Sequence, residues 1–503
     1  MTEYDCIVIG AGAGGLSAAL QLSRQGKRAL VLERQAVPGG FATTFKRKGF
    51  TFEAAMHCVD GLGPGGEIRE FLEKDGVFAQ VEAIELENFA RVIYPNFELL
   101  IDFNQVHLQG SLKDKFPRGR TEIERIFSAM DKFFRQFDRF AESNLPGWLN
   151  MLQLFIFCPA VIKMSLLTAQ GFLDRYIQEE KLKGVLGEMW GFLGLPPSRV
   201  SALYFLLILQ GYYYQNTAYI KGGFQKLFTA MTARIRENGS EVRFNTGVMA
   251  ITTRSGKRVK SVVLENGEEI TAKAIISNAN AISTLTGLVD DPAVREDYRR
   301  KLSSLEKSPS ALQVYLGLSC PAKSLGMNQH TLSIKTSYDH EESFNFCLTQ
   351  DYARCPLEIV DHAQIDPGLA PAGKGTLLIM VLDAYANWKN LHPDAYARKK
   401  QEAAEKLIRR AEDYLPGLSR NIECMEVATP RTFERYTLSP EGAIYGFAQT
   451  VEQSGIRRLP QETPVSGLFL AGAWTRPGHG VHACFISGME AAGLVSGWLR
   501  KRG

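Results

Sequence analysis

The chain of 503 residues is poor in several of the features that mark common functional classes. Its eight cysteines, Cys6, Cys58, Cys158, Cys320, Cys347, Cys355, Cys424 and Cys484, contain no C-x-x-C pair. That excludes zinc ribbons and thioredoxin-like dithiols, and runs such as "YDCIVIG" and "FIFCPAV" read as settings for buried, reduced thiols. No His, Cys, Asp and Glu residues stand at metal-ligand spacing, so no metal is expected, and there is no nucleophile elbow. An excess of one charge is also missing. Lys plus Arg number 58 and Asp plus Glu 54, a net +4, which is too little for a nucleic-acid partner.

Long apolar runs are lacking too. A membrane span needs ~20 predominantly apolar residues. The uncharged stretch from Ser143 to Ile162 is broken by Asn144, Pro146, Gly147, Asn150, Gln153 and Pro159. The stretch from Val200 to Ile220 is apolar only from Ala202 to Leu209. The N-terminus enters a strand-like run at once, without room for a signal peptide. A cytoplasmic protein is expected, with peripheral contact on the inner face of a membrane. No fixed-period repeat is present, and oligomeric state is not legible.

Glycine and phenylalanine are plentiful, at 46 and 29. The opening "YDCIVIGAGAGGLSAALQLSRQGKRALVLERQ" reads as a buried parallel strand, a glycine turn, a helix and a second strand. Gly10, Gly12 and Gly15 satisfy G-x-G-x-x-G within residues 10–15, Gly10-Ala11-Gly12-Ala13-Gly14-Gly15. Gly10 permits the turn, Gly12 the approach of backbone N–H groups to a pyrophosphate, and Gly15 the contact of helix with strand. The helix N-terminus brings partial positive charge to the phosphates. Glu33, ending the second strand 18 residues after Gly15, is placed to accept hydrogen bonds from a ribose diol. A second G-x-G-x-x-G at residues 61–66 has no preceding strand and carries Pro64, so it reads as a flexible loop and not a second nucleotide site.

Further on, "IERIFSAMDKFFRQFDRF" puts Ile126, Met130, Phe133, Phe134 and Phe137 on one helical face. "GFQKLFTAMTARIRENGSEVRF" predicts helix, turn and strand. Residues 248–280 predict β-hairpins with turns at Gly256 and Asn266-Gly267.

After Glu33 comes "ERQAVPGGFATTF". Its Gly39-Gly40 pair, with Arg34, Phe41 and Ala42, resembles the extended FAD motif of glutathione-reductase-like flavoproteins. The closing "GLFLAGAWTRPGHGVHACFISGMEAA" resembles their second FAD fingerprint. Together with "YIKGGFQKL", "IISNAN" and "TPRTFERYTLSPEGAIYG", these blocks resemble the phytoene desaturase, carotenoid isomerase and retinol saturase family over almost the whole chain. The resemblance implies an α/β fold, a glutathione-reductase-like FAD-binding Rossmann domain with an inserted α+β substrate domain. The FAD-binding segments would be 1–85, 216–290 and 436–503, and the substrate or cap segments 86–215 and 291–435. It implies FAD contacts from the residues above and from Val248, Asn278, Gly472, Ala473, Gly480 and Val481. The chain departs from the family's usual pattern at Phe41 (usually Arg in desaturases), Ala55 (usually Gly), Asn280 (usually Asp) and Ala473 (often Asp).

The implied activity is FAD-dependent desaturation, saturation or isomerisation of carbon–carbon double bonds in a long apolar substrate: carotenoid, retinoid or another polyene or lipid. The alternatives are an amine or porphyrinogen oxidase of the same fold and, less favoured because the FAD features are retained, a prenyl-lipid carrier. Flavin chemistry needs no protein nucleophile. His57, His479 and His482 are the candidate catalytic residues, and Arg435, Tyr436, Glu441 and Tyr445 are candidates to line the substrate path. The apolar runs around Trp148, Lys163 and 202–209 suit a lipid-handling cap.

Overall fold

The computed structural model describes residues 4–141, 147–214, 217–254 and 258–501, without the side chains of 147–151, 213 and 214. A run of Cys, Ile and Val forms the first strand, Tyr4–Ile9, buried along its length except for the half-buried Asp5. Parallel to it lie Ala29–Leu32 on one side and Glu269–Ser277 on the other. Glu241–Arg243 extends one edge, and Leu468–Leu470 pairs in parallel with residues 275–277 at the other. Five parallel strands are thus drawn from the N-terminus, the middle and the C-terminus of the chain. Apolar clusters cover both faces, as such a sheet requires.

Helices Ala13–Arg24 and Val481–Arg500 pack closely on one face. A Cβ at Gly488 would lie 2.1 Å from the Gly14 carbonyl oxygen, so only glycine lets the backbones approach this far. The expected hairpins appear as strands Val248–Arg254, Arg258–Leu264 and Glu269–Ser277, with a turn at Gly267. Gly256 lies outside the described residues.

A second sheet of seven strands is built from the two intervening stretches. Asn88–Ile93 and Glu98–Asp102 come from the first, and Ser310–Leu318, Thr331–Ile334, Leu357–Val360, Gly375–Asp383 and Ile422–Ala428 from the second. Only the pairing of 331–334 with 88–93 is parallel. The Phe-rich helix Arg120–Ala141 buries Ile126, Met130, Phe133 and Phe134 against this unit. Its neighbours, Gly147–Phe157 and Pro159–Ser165, are separated at Cys158-Pro159 because proline cannot continue the hydrogen-bond ladder. Among the described residues no helix is long and apolar enough to cross a membrane. The eight cysteines are free thiols, six of them buried and Cys320 and Cys484 half-buried.

Candidate active site

The glycine loop leaves the first strand at Gly10, whose φ of 95° lies in the left-handed region that favours glycine. A Cβ at Gly15 would sit 2.0 Å from the Gly10 carbonyl oxygen, so the turn closes only on glycine. The loop ends at Gly12, the N-cap of the first helix. That helix start has no capping side chain and no acidic residue in its first turn. Elsewhere in the chain Asn104, Thr168, Asp291 and Asp339 cap their helices with side-chain oxygens. Bare N–H groups in an acid-free turn are what an anionic ligand needs.

Glu33 closes over this loop. Its Oε2 accepts from the Ala11 N–H at 2.7 Å and its Oε1 from the Gln35 N–H at 2.7 Å, which fixes the carboxylate while leaving lone pairs for a diol. The Gly39 N–H donates to Ala11 O at 2.8 Å, so the second glycine pair folds back onto the first motif, and Ala42 is buried beside it. Phe41 stacks on Phe433 with ring centroids 6.1 Å apart. The Arg34 guanidinium turns instead to the carbonyls of Arg435 and Tyr436. Val248 opens its strand two residues past Thr246, whose N–H donates to Glu33 O.

From the far side Asn278 and Gly472 complete the enclosure. Cβ atoms at Gly12, Gly14 and Gly472 would lie 2.9, 2.6 and 2.5 Å from the Asn278 amide, so these backbones converge on one side chain. The Gly472 N–H donates to Ser487 Oγ at 3.0 Å, tying the last strand to the closing helix. That helix begins at Val481 behind Gly480, again without a capping side chain or an acid in its first turn. Two uncapped helix starts, the glycine turns and Glu33 fit an adenine dinucleotide. Asn280 stands where Asp was expected for a structural reason: its Oδ1 caps Ser283 N, while its Nδ2 donates to Leu438 O, which a carboxylate could not do.

The three candidate histidines sit in different chemistry. His479 is buried at 2% exposure. Its Nε2 must donate to the Phe192 carbonyl at 3.1 Å, which leaves Nδ1 as an acceptor with no partner among the described residues. Burial, with the Arg458 guanidinium nearby, pushes its protonation down to about 3, so the ring is neutral. It packs on Tyr445, 4.4 Å between centroids. His482 is the opposite case. Burial works against its charge, but Asp60 at 2.7 Å, backed by Glu67, lifts it to about 10, and it is an imidazolium at neutral pH.

His57 has both ring nitrogens occupied. The Asn88 carbonyl only accepts, so His330 Nε2 donates to it at 2.9 Å. His330 Nδ1 then accepts from the Thr331 hydroxyl at 2.9 Å, and Thr331 Oγ1 accepts from His57 Nε2 at 2.6 Å. His57 Nδ1 is left to accept from the Cys58 thiol at 3.1 Å. Burial, then His330 and His362, hold His57 well below its ordinary protonation range. His362, pushed down to about 4 by burial, donates to Met56 O and faces Tyr219. Tyr219 in turn donates to Glu53 Oε1 at 2.7 Å, and burial raises that carboxyl to about 8, so Glu53 is protonated.

Aromatic rings pack around His57. Phe89 contacts Phe103, Phe192, Tyr212 and His57 at centroid distances of 5.8, 5.3, 5.0 and 5.3 Å. Three of the residues expected to line the substrate path do not face inward. Arg435 and Glu441 are exposed, Tyr436 is 54% exposed, and Glu441 pairs with Lys307 on the surface. Tyr445 alone of that set packs inward, on the His479 ring. The loop at 61–66 is not loose, since Leu62 is fully buried and Gly61 abuts the His482 ring. Asp60, His330, His362 and Arg458 went unnoticed in the sequence, because they belong to no motif and meet their partners across long chain separations. Tyr219 opens the "YIKGGFQKL" block, but nothing in that block assigns it to Glu53.

The family model for flavin containing amine oxidoreductases matches residues 13–496. The chain is 28% identical to a chloroplastic prolycopene isomerase of Daucus carota over 98% of this chain and 80% of that one. It is 24% identical to a 4,4'-diapophytoene desaturase of Methylomonas sp over 97% of this chain and 94% of the relative. An oxidoreductase crystal structure from Methanosarcina mazei shares the fold at TM-score 0.64 and 20% identity, covering 96% of this chain and 99% of that one. The chain is an FAD-dependent oxidoreductase and belongs to the family of flavin containing amine oxidoreductases.

Proposed function

We propose that this enzyme makes, removes or isomerises carbon–carbon double bonds in a long apolar polyene, of carotenoid or retinoid type. The observation that carries this reading is the uncharged, aromatic packing around His57 and His479. Phe89, Phe103, Phe192, Tyr212 and Tyr445 supply rings, while His57, His362 and His479 are held neutral by burial. Apolar burial at ~25 cal/mol per Å² lets such a wall bind a long chain without ionic anchors. The relatives named as a prolycopene isomerase and a diapophytoene desaturase support the same substrate class. A small amine would bring a cation to a lining in which Glu53 is protonated and Asp60 is already paired.

Bound FAD supplies hydride acceptance or donation. Gly10, Gly12, Gly15 and Glu33 would hold its adenosine and pyrophosphate, and Gly472, Gly480 and Val481 its flavin end. The packed rings exclude water and orient the chain. Arg458, His479 and the His482–Asp60 pair fix the closing turn.

A second surface suits lipid. Leu152, Phe155, Ile156, Phe157 and Leu166 are 49–63% exposed on neighbouring helices. Ile456 joins them through Arg457, which donates to Ser165 O, and Lys163 is exposed at the edge. We place this face on an anionic membrane, from which an apolar substrate would be drawn.

The test is anaerobic exposure of the FAD-loaded enzyme to a panel of polyenes and of small amines, following flavin bleaching. Reduction by amines and by no apolar chain would sink the polyene reading. Product mass then separates the reactions: unchanged for an isomerase needing reduced flavin, about two units lighter for a desaturase, about two heavier for a saturase.

A further inference from the structure

Arg458 is a cation without an anion. Its side chain is buried at 2% exposure, and every hydrogen bond it makes ends on a main-chain carbonyl. Nε donates to Thr475 at 2.9 Å, Nη1 to Phe447 at 3.2 Å and Gln453 at 3.3 Å, and Nη2 to Phe447 at 3.2 Å and Ala473 at 2.5 Å. Among the described residues no carboxylate lies within ion-pair distance of it. The buried Lys335, by contrast, has Glu188 at 2.7 Å and Glu358 at 2.8 Å. Carbonyl dipoles solvate a guanidinium but carry no net charge, so one full positive charge stays uncompensated in a low-dielectric interior.

The position of that charge is specific. Ala473 and Thr475 belong to the stretch that runs from Gly472 to the start of the closing helix. The trans peptide between Ala473 and Trp474, with its carbonyl held by Arg458, directs the Trp474 N–H the opposite way. The helix that follows adds its own partial positive charge, with no acid in its first turn. The acids nearest the helix start, Asp60 and Glu67, are engaged by the His482 imidazolium. Around Arg458 itself, the Tyr204 phenol and Cys484 thiol are pushed up by burial and stay neutral, and the His479 ring is neutral as well. His482 is balanced by Asp60, and Glu67 lies 62% exposed to solvent, so the charge at this corner that no carboxylate of the described residues pairs is that of Arg458.

We propose that Arg458, acting with the N-terminus of the helix Val481–Arg500, is the counter-charge for reduced FAD, holding it as the anion and raising the cofactor's reduction potential. A hydride delivered to flavin N5 brings two electrons and one proton and leaves a negative charge spread over N1 and O2. In water a second proton neutralises N1. Beside a fixed buried cation that proton is not required. Arg458 acts through the main chain it organises and through its field, so it is a positioning residue and not a catalytic one. The inference rests on FAD binding and not on the identity of the substrate, so its test contains no substrate.

The holoenzyme is loaded with FAD labelled with nitrogen-15 at N1 and reduced anaerobically with dithionite. Its N1 resonance is followed between about pH 5 and 8, a window around neutrality where histidine-like groups titrate. The expected result is one anionic N1 signal throughout. An N1 that takes up a proton as free reduced FAD does overturns the proposal. Arg458→Met and Arg458→Lys are then compared by the potential of the bound flavin and by sulfite, whose adduct at N5 is also anionic. Arg458→Met should lower the potential and weaken sulfite binding by roughly tenfold or more, while Arg458→Lys keeps most of both. If the two variants shift alike, or Arg458→Met shifts neither, the guanidinium only ties four carbonyls together. Should Arg458→Met fail to retain FAD, the wild-type N1 measurement decides alone.

Discussion

His482 Nδ1 and Asp60 Oδ2 meet at 2.7 Å although 422 positions separate them in the chain. The pair joins the first turn of the closing helix to the loop that follows the Phe50–Glu53 strand, so the two ends of the sequence are tied to each other there. A Cβ at Gly211 would lie 2.3 Å from the same carboxylate oxygen, so the cap helix Ala202–Tyr214 presses on it too.

Removing one partner should therefore destabilise the fold. Asp60→Asn or His482→Asn is expected to cost ~1–3 kcal/mol, less than a fully buried pair because both side chains keep some exposure. The double variant should recover part of that loss. The sign with pH follows from the folded state. His482 is raised from 6.5 to about 10, so its contribution is complete below pH 6.5 and disappears as pH rises through about 10. Asp60 is held below its ordinary range, so its contribution is lost on acidification. Urea unfolding from pH 5 to 10 should show the wild-type advantage over Asp60→Asn greatest below about pH 6.5 and falling steadily toward pH 10. An advantage independent of pH would rule the charge pair out as its source.

Glu33 gives a prediction on affinity. If Glu33 accepts from the ribose diol, Glu33→Ala removes that acceptor as well as releasing the Ala11 and Gln35 N–H groups. Charge-assisted hydrogen bonds contribute ~1.5–3 kcal/mol, so FAD binding should weaken about tenfold or more. Fluorescence titration of the apoprotein with FAD measures it. Unaltered affinity would remove Glu33 from the site.

What the sequence disclosed about the site is what a local spacing can encode. Gly10, Gly12, Gly15 and Glu33 form one motif within 33 residues; Gly10 is required by its positive φ and Gly15 by the Gly10 carbonyl, whereas Gly12 is pressed by the distant Asn278 side chain. The alternation of parallel strand and helix likewise announced the sheet, and the Phe127–Phe134 stretch announced an amphipathic helix. His57 shows where such reading ends. Its ring nitrogens are engaged by Cys58 next door and by Thr331, 274 positions away, and no spacing rule connects them. Arg458 was invisible for the same reason, since its partners are carbonyls, which carry no sequence signature. Arg435, Tyr436 and Glu441 erred the other way: a recognisable block suggested an interior role, but their side chains point to solvent.

Glu53 is expected to make stability depend on pH with the sign opposite to that of a paired acid. Burial raises its carboxyl from 4.5 to about 8. Between those values the folded protein keeps a proton that the unfolded chain releases, so stability falls as pH rises from about 4.5 to 8. Glu53→Gln keeps an acceptor for Tyr219 and the Phe224 N–H but cannot ionise. It should flatten that slope and gain about 2 kcal/mol or more on wild type at pH 8. Chemical denaturation of the FAD-loaded protein at pH 5 and pH 8 reads the difference, and parallel slopes would place the titration elsewhere.

The exposed apolar face predicts lipid binding. Trp148 and Leu149 lie where side chains are not described, so the substitutions fall on Phe155, Ile156 and Phe157, which are 63%, 57% and 55% exposed. Changing all three to Ser should weaken co-sedimentation with anionic liposomes by about tenfold or more while leaving FAD content unchanged. High salt should weaken wild-type binding further, because part of the attraction to Lys163 and Arg457 is screened. Wild-type protein that fails to sediment at any salt concentration would leave this face without a lipid role.

Gly480 supplies the sharpest separation of cofactor binding from turnover. It precedes the closing helix with φ 93° and ψ 150°, is exposed, and a Cβ built on it meets nothing within 4 Å. A side chain there costs ~1 kcal/mol or more in backbone strain, because an L-residue rarely adopts this conformation. Unlike a Cβ at Gly14 or Gly472, it collides with no protein atom, so the fold should survive. The space it enters is the open side of the turn formed by residues 477–481, next to the uncapped helix start. Gly480→Leu should therefore abolish turnover of a polyene while lowering FAD retention only modestly, and Gly480→Ala should fall between. The comparison is FAD occupancy from the visible spectrum against the rate of anaerobic flavin bleaching by the same polyene. Loss of FAD in step with loss of rate would mean that the side chain displaces the cofactor itself. Full activity in Gly480→Leu would mean that the substrate approaches from another side of the flavin.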